Sequence, residues 1–285
     1  MIWLLLVTAH LIGVVSYTLL LRKSALGNLN KLLMAALMLT GNFLPTLVFL
    51  ALGKVVLPSS PTDWFFLILG GGMLAGLSIT NVWALSRLDV SIFTILYNLR
   101  LLMTTLLGFL ILQELPSILQ IIGGLVILLS IFILNLHKDR QWRSPAVLIG
   151  VFSMMWFSFH AVLEKYNLQQ VDVESYLFIV CFFGMLFLWI LVFIKRINIK
   201  SQLIHIHDKK IYALVFTRVL SGYAYVYALK YSSLAVLNYV SGMSVALIVL
   251  FGIYILGEKE NIRQKIVAVA VACIGLTLIL LGRLL

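Results

Sequence analysis

Arg100 stands near the middle of SIFTILYNLRLLMTTLLGFLILQE, residues 91–114, a run otherwise fit for the interior of a bilayer. A guanidinium in such a place attracts an anionic group, a carboxylate or a phosphate. At helical spacing Thr94, Tyr97 and Thr104 share its face, and Ser91 continues the polar stripe. Arg218, in FTRVLSGYAYVYALKY, shares a face with Gly222 and Tyr225 and would add a second cation. Trp156, His160 and Glu164 follow one another at i, i+4 and i+8, an aromatic-to-acid ladder that would carry a proton or bind an amine. His10 forms a comparable face with Gly13 and Tyr17. Trp83, Trp156 and Tyr225 are candidates to pack on an organic body. Asn42, Asn81 and Asn238 read first as interhelical hydrogen-bonding groups and then as pocket residues.

Each has a structural alternative. A centred arginine costs about 2.5–3.5 kcal/mol on insertion scales, against about 0.3–0.6 returned by each Leu, Ile or Phe, so the segment still inserts. From either end Arg100 is about 14–18 Å deep by helical rise, beyond the reach of a snorkelling side chain. Its guanidinium must meet protein, water or ligand. The two readings are an arginine satisfied by backbone carbonyls or a carboxylate, and a substrate or ion site, the default for an intramembrane charge; the second is preferred. For Arg218 snorkelling or an ion pair competes evenly with a ligand role. Glu164 stands close to a segment end, where it would be interfacial, and a lone histidine such as His10 usually bonds a neighbouring helix. Glu114 and Glu258 open short turns, where a negative charge favours the following helix N-terminus. Gly70-Gly71-Gly72 with Gly76, and Gly123-Gly124, suit close helix packing.

No metalloprotease HExxH, no GxSxG and no Walker sequence occurs, so the chain reads as a non-enzyme with no cofactor and no metal. His205 and His207 in HIHD are weak metal candidates. The two cysteines, Cys181 and Cys273, lie in apolar runs without metal-like or disulfide-like spacing. The first residues lack a basic n-region, which argues against a cleaved signal peptide.

These residues must be carried by membrane-spanning elements. Of 285 residues 62% are hydrophobic and 11% charged, too little polar surface to cover a globule in water. Apolar runs of about 20 residues recur, each able to cross about 30 Å of hydrocarbon as a helix. Punctuation by charges and turns places spans at about 2–21, 30–52, 64–86, 91–112, 117–136, 146–165, 174–195, 210–230, 234–256 and 262–282. The expected fold class is an all-α polytopic membrane protein with ten transmembrane helices.

A shift of about 144 residues lays the chain over itself. Ala84 meets Ala228, Leu85 meets Leu229, Gly108 meets Gly252, Glu114 meets Glu258, Ile118 meets Ile262 and Gln120 meets Gln264. Five spans per copy force the second copy to be inverted, and inverted repeats hold substrate between them near the midplane. The expected halves are residues 1–138 and 139–285.

The paired Ala-Leu at the ends of spans 3 and 8, and Gln113-Glu114 and Gly257-Glu258 each followed by a glutamine, resemble the EamA-like ten-span members of the drug/metabolite transporter superfamily. The chain departs from that pattern where a proline often precedes each glutamate by fourteen residues, since Arg100 and Ser244 stand there. The segment YNLRL, Tyr97–Leu101, is similar to the Tyr-Gln-Leu-Lys motif of nucleotide-sugar transporters, whose basic residue faces the substrate.

The net charge of +11 sits in short clusters between apolar runs, which read as topology signals and not as a nucleic-acid surface. Connections after odd-numbered spans carry fifteen Lys and Arg; the opposite side has only Lys54, Lys165, Lys230 and Arg283. The positive-inside rule therefore puts both termini outside the cytoplasm, and the resemblance implies the reverse. The expected function is a secondary transporter, exporter or exchanger, of a small organic metabolite with a carboxylate or phosphate, in the plasma or inner membrane. The runner-up is a non-transporting or lipid-phosphate-handling membrane protein. Expected partners are a small-molecule substrate and membrane lipids, with the chain a monomer or homodimer.

Overall fold

Backbone placed in hydrocarbon has no water to bond and satisfies its N–H and C=O groups by coiling. In the computed structural model every regular element among the described residues is helical. The structure describes the chain except residues 1, 26, 28, 98, 113–116, 136–144, 203–208, 232–236, 238–240, 243, 258–261 and 285. In chain order the helices are α1 (Ile2–Ala25), α2 (Lys31–Phe43), α3 (Thr46–Ala51), α4 (Pro61–Leu85), α5 (Val90–Tyr97), α6 (Leu99–Leu112), α7 (Ile118–Asn135), α8 (Pro145–Gln170), α9 (Val173–Ile194), α10 (Lys209–Lys230), α11 (Ser244–Ile255) and α12 (Ile262–Leu284), with a 3-10 turn at Lys200–Gln202. Five of the described segments are long and apolar enough to cross a membrane: Ile2–Ser24, Lys31–Ala51, Pro61–Leu85, Pro145–Gln170 and Val173–Ile194.

Local chemistry sets the boundaries. Asn30 caps α2, its side chain accepting from the N–H groups of Leu32 and Leu33 at 3.0 and 3.3 Å. Ser60 caps α4 at the Thr62 N–H, Pro61 takes the first helical position and Asp63 lies in the first turn. Pro45 separates α2 from α3 because it has no N–H for the helical ladder. The Thr46 hydroxyl then donates to the Phe43 carbonyl at 2.6 Å. Gly53 and Gly257 adopt positive φ, 67° and 71°, just beyond α3 and α11, where a side chain would be strained.

Packing is closest where glycines remove side chains. At Gly71 on α4 an added Cβ would lie 2.7 Å from Phe183 Cβ and 3.0 Å from the Gly184 nitrogen on α9. At Gly13 on α1 it would lie 2.8 Å from the Ser221 nitrogen on α10. These contacts draw α4 onto α9 and α1 onto α10, two of the main pairings beside α4 with α8 and α7 with α12.

Leu4, Phe65, Leu110, Leu148, Phe193 and Phe216 are exposed, whereas His10, Asn42, Asn81, Arg100, His160 and Glu164 are buried. Water would penalise that distribution; acyl chains solvate it, and the protein is embedded in a membrane. Its helices end at two levels. Arg22 Nη1 donates to the Leu85 carbonyl at 2.6 Å, bringing together the ends of α1 and α4, and the Asn30 N–H donates to Gln202 Oε1 at 3.1 Å. The turn between α8 and α9 meets the last residues of α10, Leu229 and Lys230, at the opposite level.

Candidate functional site

His10 of α1, Tyr97 of α5, Arg100 of α6, His160 and Glu164 of α8, and Arg218 and Tyr225 of α10 line one cavity of about 100 Å3. Asn42 of α2, Tyr176 and Cys181 of α9, and Ser221 and Tyr223 of α10 add to its polar lining, and Leu74, Leu77, Phe157 and Val180 supply apolar wall.

Arg100 is the most demanding group. It is 1% exposed, its Nη1 donates to the Tyr97 hydroxyl, and its Nε and Nη2 have no hydrogen-bond partner among the described residues. Its Cζ lies 3.9 Å from the Tyr97 ring centroid and 4.8 Å from that of Phe157, two rings that meet edge to face. The aromatic faces stabilise the cation without using its remaining N–H donors. Among the described residues Arg100 makes no ion pair; the pairs formed there are those of Asp89 with Arg22 and Lys265. His160 Nε2 and Asn42 Oδ1 are likewise buried and find no partner among the described residues. Donors and acceptors from α2, α6 and α8 therefore converge on one space without satisfying one another, a costly arrangement for a dry interior.

The other groups are better satisfied. Glu164 is bonded by the Tyr176 hydroxyl from α9. His10 Nδ1 lies 3.0 Å from the Ser221 carbonyl and Nε2 2.8 Å from Ser241 Oγ, with its ring 5.2 Å from Tyr225. Arg218 Cζ sits 5.0 Å from the Tyr17 ring centroid, and Arg218 has no ion pair among the described residues. The lining thus carries two guanidinium cations against one carboxylate.

A second chamber of about 40 Å3 lies toward the Arg22 level, walled by Tyr17, Thr18 and Leu21 of α1, Asn81 and Leu85 of α4, and Phe93 and Ile248. Tyr97, Phe157 and Arg218 line both chambers and divide them. A third cavity, of about 270 Å3, opens at the Lys230 level between Lys165, Gln169, Asp172 and Lys230.

The remaining sequence candidates lie elsewhere. Asn81 faces the smaller chamber while its Oδ1 accepts from Ser153 Oγ at 2.7 Å, an α4–α8 bridge. Trp156 donates from Nε1 to the Met73 carbonyl at 2.7 Å and packs on Gly76, away from the cavity. Four-residue steps drift by about 40° each on a helix, so Trp156 is turned about 80° from Glu164. Phe157, seven residues before Glu164 and only about 20° off its direction, takes the inward place. Trp83 stacks on Arg87 at 4.0 Å and packs beside Leu88 and Ile92. Thr104 is buried, its hydroxyl without a partner among the described residues, and it does not line the cavity. Asn238, Glu114, Glu258, His205 and His207 lie outside the described residues, as does any side-chain statement about Thr94.

Tyr176, Tyr223, Phe157, Cys181 and Ser221 are cavity residues that sequence reasoning did not select. The seven-residue step from Phe157 to Glu164 was the available signal for the first of them. Tyr176 is the one tyrosine of α9 and follows Glu174 and Ser175 at the head of a largely apolar helix, which was the signal for it.

Two cations, one carboxylate and several rings facing one space suit the binding of a small polar molecule. A family model described as the EamA-like transporter family matches residues 1–136 and again 144–281. A solved structure described as "Crystal structure of protein" is similar at a TM-score of 0.66 and 18% identity, covering 98% of this chain and 96% of that one, which speaks to the fold alone. No curated protein matches the chain. With the family model covering nearly its whole length, the chain belongs to the EamA-like transporter family, a family of membrane transporters of the drug/metabolite type.

Proposed function

We propose that this protein is a secondary active transporter, exporting or exchanging a small organic metabolite that carries a carboxylate or phosphate, by alternating access to the cavity around Arg100. The observation that carries the reading is the Arg100 guanidinium, 1% exposed and with two nitrogens that find no partner among the described residues, inside a cavity. A planar anion accepts from two parallel N–H groups at once, which is what Nε and Nη2 present. Arg218 adds a second positive charge at the boundary of the chambers. Between loads the cavity has room for several waters at about 10–15 Å3 each, so the cation need not stay bare.

His160 and Glu164 are the candidates for proton coupling or for recognising a polar group at the other end of the ligand. His10, bonded on both ring nitrogens, is the better candidate for positioning α10 and Ser241 around the ligand. Tyr225 and Phe157 offer apolar and aromatic surface to an organic body.

The ten-span reading is supported by helices close to every expected segment, the second assembled from α2 and α3 and the fourth from α5 and α6. Two inverted halves, 1–138 and 139–285, are supported by the double match of the family model and by the pairing of α7 with α12, the fifth helix of each half. Such halves rocking about the central cavity would expose it to each side in turn. A multi-pass protein of the plasma or inner membrane is the corresponding location.

Thermal unfolding of the detergent-purified protein with nucleotides, nucleotide sugars, phosphorylated metabolites, amino acids and amines tests the reading. A ligand at one hundred times its Kd stabilises by about 2.7 kcal/mol. An anion is expected to raise Tm in the native protein and to lose that effect in Arg100→Ala. Stabilisation by amines alone, unchanged in Arg100→Ala, would overturn the anion assignment.

A further inference from the structure

The three cavities lie in series along the same helices. On α10, Lys230 and Leu229 line the outer cavity, Tyr225 and Ser221 the central one, and Arg218 both the central and the small chamber. On α8 the order is Gln169, then Glu164 and His160, then Phe157, and on α1 it continues from His10 to Tyr17 and Leu21. The column stops at Arg22, the next residue on α1.

There Asp89, in the turn between α4 and α5, is held by two cations. Arg22 Nη2 lies 3.3 Å from Asp89 Oδ1 and Lys265 Nζ lies 3.4 Å from Oδ2. Their side chains are 13%, 14% and 3% exposed for Arg22, Asp89 and Lys265. Arg22 Nη1 also donates to the carbonyl of Leu85, itself a wall of the small chamber. Arg22 and Asp89 belong to the first half of the chain; Lys265, in the first turn of α12, belongs to the second. The cluster therefore caps the column and ties the two halves together at one membrane face.

We propose that the Arg22–Asp89–Lys265 cluster is the gate that closes the substrate path at this face, Asp89 releasing Lys265 when the halves rock apart. The proposal rests on the transport reading above. The chemistry suits a reversible closure. A carboxylate shared between a guanidinium and a buried ammonium holds while both are near, yet each cation becomes more easily hydrated once the halves separate. Neutralising Asp89 removes the attraction that draws Arg22 and Lys265 to one point, and so weakens the closed arrangement.

Cys181 supplies an internal reporter, because it lines the central cavity and is one of only two cysteines in the chain. In a Cys273→Ser background it is the single thiol, and a membrane-impermeant maleimide can be offered from either face of sealed vesicles. Asp89→Asn and, separately, Lys265→Met are expected to raise the Cys181 labelling rate several-fold from the Arg22 face and to lower it from the Lys230 face. Asp89→Glu, which keeps the charge, is expected to label at the background rate.

Unchanged labelling in both variants, or an equal rise from both faces, would overturn the gate, the second outcome marking a cluster that only stabilises the fold. Lys265→Met keeps the Arg22–Asp89 pair and a well-filled site, so the test survives if Asp89→Asn does not accumulate. No substrate is required. A gate that fails leaves the Arg100 ligand panel unaffected, and an empty panel leaves the labelling result intact.

Discussion

At the scale of the residue, the two readings of Arg100 make opposite stability predictions. A structural arginine with its partners satisfied loses about 3–5 kcal/mol when the pair is broken. Among the described residues the Arg100 guanidinium has one hydrogen bond, to Tyr97, and two unpaired nitrogens. Replacing it with methionine, which keeps length and removes the charge, is expected to leave the ligand-free protein as stable as before or more so, while abolishing anion-induced stabilisation. Thermal unfolding with and without ligand measures both; a Tm drop of the size of a broken buried pair would make the arginine structural. Tyr97→Phe keeps the ring beneath Cζ and removes the hydroxyl that Nη1 bonds, so it is expected to weaken ligand stabilisation by roughly the worth of one hydrogen bond to a charge, about 1.5–3 kcal/mol.

At the scale of the element, close approach of α4 and α9 decides whether Tyr176 and Cys181 reach the cavity. Gly71 is the residue that permits it. A methyl there would meet Phe183 Cβ and the Gly184 backbone, neither a flexible end that can step aside. Gly71→Ala is expected to cost about 1–3 kcal/mol through overpacking. Gly72→Ala, whose added methyl would lie 3.5 Å from the Phe187 ring, makes an ordinary contact and gains helix propensity of up to about 1 kcal/mol. Thermal melts of the two variants side by side test this, and equal destabilisation would show that α4 and α9 are not locked at Gly71. On the other side of the cavity, Gly13 lets α1 approach Ser221, which brings His10 to the Ser221 carbonyl.

At the scale of the whole molecule, the basic residues define a face. Arg22, Lys31, Lys195, Arg196, Lys200, Lys209, Lys210 and Lys265 all belong to helix ends at the level of the Asp89 cluster. The positive-inside rule predicts that face to be cytoplasmic and both termini to be outside, the opposite of what the family resemblance implies. A carboxyl-terminal alkaline phosphatase fusion is then expected to be active and a fluorescent protein fusion at the same place dark. A bright fluorescent fusion would reverse the orientation and turn the proposed gate outward. The measurement also says which compartment sees the cavity when Asp89 lets go.

The sequence by itself determined the helical membrane class and the transporter family. Backbone in hydrocarbon has few solutions, and apolar runs with paired Ala-Leu and Glu-containing ends are local patterns that survive without coordinates. It also marked Arg100, His10, His160, Glu164, Arg218 and Tyr225 as charges and rings in apolar surroundings, since that incongruity is visible one residue at a time. Tertiary structure alone decided that these six share a cavity, because the lining comes from helices as far apart in sequence as α1 and α10. It also decided that Phe157 and not Trp156 faces inward, since the small angular drift of four-residue steps matters only once a neighbouring helix defines the inside. Asp89 showed least of all in the sequence. An acid in a turn reads as ordinary polar punctuation until the fold carries Lys265, 176 residues away, to its side.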